Sequence, residues 1–138
     1  MFRVFSEPSP IAFWKNFFLS FCSDCFNLLN SFSLGSKPYK KEFVFYSESR
    51  FYRNYFIDLI LNLKKLNQNN IVLVTSDRDD LNKFKDITEC VYIGNLYVLN
   101  YFFKVLDCKF MIMTLTDLGN HIKKSKFFKN YVYLFHAL

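Results

Sequence analysis

His136 directly follows the apolar run Tyr131-Val132-Tyr133-Leu134-Phe135. An imidazole at the carboxyl end of a buried strand is placed for acid–base work or phosphate contact. A structural histidine is the plainer alternative. Upstream, Thr114-Leu115-Thr116-Asp117-Leu118-Gly119-Asn120 brings hydroxyls, a carboxylate, an amide and a glycine into seven residues. Such a loop suits a polar ligand. Lys123, Lys124, Lys126 and Lys129 follow with no acid between His121 and Asn130. That stretch either attracts phosphate or anionic headgroups or is a solvated surface.

Two other polar turns follow apolar runs. In Ser47-Glu48-Ser49-Arg50, Glu48 can accept a proton or bind a hydroxyl, while Ser47 or Ser49 can cap the next helix. Thr75-Ser76-Asp77-Arg78-Asp79-Asp80 carries three aspartates but lacks the glycine and distal glutamate of a calcium loop. A solvated turn and helix cap is expected there. Neither G-x-G-x-x-G, G-x-x-x-x-G-K-[ST] nor G-x-S-x-G occurs, so the standard nucleotide loops and the hydrolase elbow are absent.

Cys22 and Cys25 form a lone C-x-x-C. Without a second pair or histidines nearby it makes no zinc site, and it follows no strand as a redox motif should. The expectation is free thiols, no metal and no cofactor. The N-terminus lacks the charged start and small-residue cleavage site of a secretory signal.

The elements that position these residues come from periodicity. Residues 11–34 are apolar at helical spacing, with Phe13, Phe17 and Phe21 in line and Trp14 near one end. Lys15, Asn16, Asp24, Asn27 and Asn30 interrupt them, which argues against a spanning helix. The helix either lies in a membrane's headgroup plane or packs on the domain's own core. Gly35 is a natural stop. Residues 1–36 are thus an amphipathic helical segment and 37–41 a linker.

From residue 42 the pattern alternates. Strands are expected at Phe43–Tyr46, Ile71–Val74, Val91–Ile93, Phe110–Met113 and Tyr131–Phe135. Helices are expected at Tyr55–Leu66 and Leu96–Leu106. This alternation implies a parallel sheet with right-handed crossovers: an α/β, Rossmann-like layer over residues 42–138, preceded by the N-terminal helix. Ligands of such sheets bind beyond the carboxyl ends of the strands.

With 138 residues there is room for one core. The net charge of +6 suits anionic lipid, a phosphate-bearing substrate or nucleic acid. No Arg-rich or aromatic-basic motif accompanies it, so no nucleic-acid partner is expected. Nineteen phenylalanines are an unusual load, which reflects either coding bias, since Lys, Asn, Ile and Tyr are also plentiful, or surface that expects a membrane or a partner domain.

Phe45-Tyr46-Ser47-Glu48-Ser49 with Tyr52 or Tyr55 resembles the opening of bacterial CDP-glycerol glycerophosphotransferase-like proteins, which make teichoic-acid-type and capsular polymers. Met113-Thr114 with Thr116-Asp117-Leu118-Gly119-Asn120, then Lys124-Ser125-Lys126, then Tyr131 to Leu138, is similar to a later stretch of that family. Ala137 departs from the pattern, where a serine is looked for. The resemblance spans roughly residues 42–138. It implies the acceptor-side, N-terminal half of a two-domain GT-B fold, truncated, peripheral on the cytoplasmic face of the plasma membrane and inactive alone. A CDP-glycerol-type donor would be bound only by a missing C-terminal domain. The acceptor would be a polyol phosphate or glycolipid. By position Glu48, Asp117 and His136 would face the cleft, with His136 as catalytic base and Thr114, Thr116 and Asn120 beside the acceptor. Phe13, Trp14, Phe17 and Phe21 would meet the membrane. The alternative expectation is a non-enzymatic membrane-surface α/β module that binds a partner protein.

Overall fold

The computed structural model describes residues 10–31, 40–48, 50–114, 125–127 and 130–134, the side chains of 10, 27–31 and 40 excepted. The described chain runs α1 (Pro10–Ser31), β1 (Lys40–Ser47), a 3-10 turn (Arg50–Tyr52), α2 (Arg53–Lys65), β2 (Ile71–Thr75), α3 (Asp79–Phe84), β3 (Glu89–Tyr92), α4 (Leu96–Val105), β4 (Asp107–Met113) and β5 (Asn130–Tyr133).

The five strands form one sheet in the order β3-β2-β1-β4-β5. Every pairing is parallel, as the expected α/β, Rossmann-like layer requires. Register aligns Val91, Val74, Tyr46, Met113 and Tyr133 in one row across the strands. Apolar runs such as Ile71–Val74 are buried on both faces because helices cover both.

Alternating side chains divide the core in two. One half joins Val44, Tyr46, Val72, Val74, Met111 and Met113 to Leu99, Phe102 and Phe103 of α4. The other joins Phe45, Ile71, Leu73 and Ile112 to Phe56 and Ile60 of α2 and Phe84 of α3. The chain therefore places α2 and α3 on one face and changes face at α4.

Several boundaries differ from the periodicity reading. β1 begins at Lys40, so Lys40 and Lys41 belong to the sheet rather than to a linker. Lys41 bonds Glu89 at 2.9 Å. Tyr52, at the end of the 3-10 turn, holds the cap position of α2 without a side-chain capping bond to the helix, and Ser47 is buried at the end of β1. The turn after β2 contains α3, six residues long and too short for a periodic signal.

α1 meets the sheet through few side chains. Asp24 is buried, Cys25 packs against the α4-side core, and Phe17 meets Tyr97 of α4 edge-on at 6.1 Å. Among the described residues no helix is long and apolar enough to cross a membrane.

Candidate functional site

Three polar clusters stand along the carboxyl-terminal rim of the sheet. The first is at the switch point, where β1 continues toward β2 and β3 on one side and β4 lies on the other. Tyr46 and Met113 are register partners there. One residue further on come Ser47, the last residue of β1, and Thr114, which follows the end of β4. Ser47 is wholly buried. Thr114 is 6% exposed, and among the described residues its Oγ1 has no hydrogen-bond partner. Glu48 is exposed beside them. The Tyr46 hydroxyl lies 3.3 Å from Ser76 Oγ. Its pKa is raised by burial, an effect the Ser76 bond opposes and the nearby Glu48 reinforces.

A buried polar group left unpaired costs stability. Thr114 therefore offers a hydroxyl that a bound polyol or phosphate oxygen can satisfy. The crevice at a switch point is where open α/β sheets take ligands.

The second cluster corrects the expectation of a solvated turn. Asp80 is wholly buried. Its Oδ2 accepts from Thr75 Oγ1 at 2.6 Å, and its Oδ1 accepts from Arg53 Nε at 2.5 Å. Arg53 Nη2 lies 3.8 Å from Asp77 Oδ2. The group ties the start of α2 to the tip of β2 and to α3. The sequence held one hint: an arginine opening a helix is disfavoured by the helix dipole and calls for an acid.

The third cluster is at the tip of β3. The Asp24 carboxylate accepts the backbone N–H of Gly94 at 3.0 Å and of Asn95 at 2.7 Å. Asn95 caps α4, its Oδ1 accepting from Tyr97 N at 2.9 Å. A Cβ on Gly94 would collide with the Tyr92 hydroxyl. The only acid of α1, read in the sequence as an interruption of its apolar pattern, joins α1 to the start of α4.

Of the expected site residues, Glu48 follows β1 and Thr114 follows β4, two neighbouring strands of the sheet. Thr116, Asp117, Asn120 and His136 lie outside the described residues. On α1, Phe13, Trp14 and Phe21 are exposed, whereas Phe17 is half-buried against Tyr97. Cys22 is exposed and Cys25 half-buried. Burial, then the neighbouring Cys22 and Asp24, raise the Cys25 pKa. That is the opposite of a reactive thiol's environment. Among the described residues no group of three or more His, Cys, Asp or Glu is placed to hold a metal.

Comparison with protein-family models, with curated proteins and with solved structures finds no match.

Proposed function

We propose that the chain is the acceptor-side half of a glycerophosphotransferase-like enzyme of cell-surface polymer synthesis, working at the cytoplasmic face of the plasma membrane. The observation that carries this reading is the buried hydroxyl of Thr114, without a partner among the described residues, at the switch point of a parallel sheet. The resemblance of residues 42–138 supports it. In this reading Thr114, Glu48, Thr116, Asp117 and Asn120 hold the hydroxyls of a polyol-phosphate or glycolipid acceptor. His136 removes the proton from the attacking hydroxyl. The CDP-glycerol-type donor is held by a separate nucleotide-binding domain, since transfer needs both substrates oriented together. The chain alone then has no turnover.

The test is a titration of the labelled chain with a short glycerol-phosphate oligomer, followed by NMR. Shifts gathered at Ser47, Glu48 and Thr114, and lost in Thr114→Ala, are expected. Unmoved rim amides sink the acceptor reading, and turnover of CDP-glycerol by this chain alone sinks the division of labour.

The exposed aromatic side chains of α1 favour a second reading, a non-enzymatic membrane-surface module that binds a partner protein. It predicts vesicle binding without any response of the rim to the oligomer.

A further inference from the structure

Four rings run without a break from α1 onto α4. Phe13 and Trp14, Trp14 and Phe17, and Phe17 and Tyr97 each meet edge-on with centroids 6.1 Å apart. The surface around them is open: Trp14 is 66% exposed, Phe18 65%, Tyr97 71% and Tyr101 65%. Tyr101 follows Tyr97 by one helical turn and so extends the same stripe of α4.

Among the described residues of α1 and α4, exposed charge has one sign. Asp24 is the only acid in either helix, and it is buried on the Gly94 and Asn95 amides. The exposed charges of the two helices are Lys15 and Lys104. A continuous aromatic field on two helices that carry exposed lysines and no exposed carboxylate of their own is complementary to an anionic lipid surface. Trp and Tyr favour that boundary because their rings are apolar and their N–H or O–H stays wet.

We propose that α1 and α4 together form one binding face for an anionic bilayer, and that Asp24 holds them in register. The Asp24 carboxylate on the Gly94 and Asn95 amides fixes one point of α1 against the start of α4 and so helps set how the face is presented. This goes beyond attachment through α1 alone, and it does not need the transferase reading. Vesicle binding and acceptor binding are measured separately, and either can fail without the other.

The experiment uses the full chain with vesicles of equal parts phosphatidylglycerol and phosphatidylcholine. The variant Tyr97→Glu/Tyr101→Glu leaves α1 untouched and is expected to weaken partitioning about ten-fold, as is Lys15→Glu/Lys104→Glu. Circular dichroism confirms folding. A measurement on the unmodified chain stands beside these variants. Trp14, the one tryptophan, should be quenched by brominated lipid while amides of residues 97–105 gain protection from hydrogen exchange. Quenching of Trp14 with no change on α4 overturns the composite face. Equal binding to pure phosphatidylcholine overturns the anionic preference. No vesicle binding at all, with the face covered by a protein instead, overturns the proposal.

Discussion

The Asp24 carboxylate accepts the backbone N–H of Asn95 at 2.7 Å, joining the first helix to the fourth across 71 residues of sequence. A charged acceptor on two main-chain donors is worth about 1.5–3 kcal/mol per bond, more than a neutral pair. Asp24→Ala should release α1: Gly94 and Asn95 amides exchange faster, and limited proteolysis cuts within residues 10–31. Asp24→Asn retains one acceptor oxygen and should fall between. Unchanged exchange at both amides in Asp24→Ala would show that α1 is held by other contacts.

Arg53 and Asp80 form a pair in which the acid is wholly buried and the base is 15% exposed. Removing one partner strands the other, which typically costs about 3–5 kcal/mol. Arg53→Met and Asp80→Leu should each lower the urea midpoint sharply. The double variant should recover much of the loss, because no wholly buried charge is then left unpaired, Asp77 being partly exposed. Additive losses would argue against coupling.

Thr114 predicts a divergence of stability and binding. Thr114→Val keeps the shape and removes a buried hydroxyl that has no partner among the described residues. Such a change is expected to be neutral or stabilising by up to about 1–3 kcal/mol. The same variant should weaken glycerol-phosphate binding at the rim. A marked fall in melting temperature would mean that the hydroxyl is satisfied in solution.

Burial pushes the thiols of Cys90 and Cys108 from 9.0 up to about 12, with Asp80 and Asp107 respectively adding to the effect. The native state thus holds these protons more tightly than the unfolded chain. Their contribution to stability is complete below pH 9 and is lost as pH rises from 9 toward 12. The urea midpoint should decline over that window, and less steeply in Cys108→Ala. Parallel declines in the two proteins would show that Cys108 does not titrate as described. Below pH 9, exposed Cys22 should react with a thiol reagent well before Cys90 and Cys108.

The sheet was legible because its strands are short apolar runs between polar turns. Ile71–Val74 is read directly from four apolar residues, and β2 adds only Thr75. α4 ends within a residue of its periodic pattern. Asp80 was not legible. Its neighbours Asp77, Arg78 and Asp79 look solvated, and the partner that makes burial tolerable, Arg53, lies 27 residues upstream on another element. Asp24 was hidden for a related reason. Its partners are backbone N–H groups, which every residue but proline carries, so no side-chain pattern announces them. Thr114 was legible as a position after a strand. That its hydroxyl is unpaired among the described residues depends on packing alone.

β1 lies between β2, the next strand in the chain, and β4, so Val44 is a register partner of both Val72 and Met111. The second of these pairings closes a long loop, and loops of that length slow the folding search. On a ribosome, one flank of β1 waits without its neighbour until β4 has emerged. Chaperone capture and aggregation should therefore concentrate in that interval of synthesis. Refolding should be slower than that of a helical bundle of equal length.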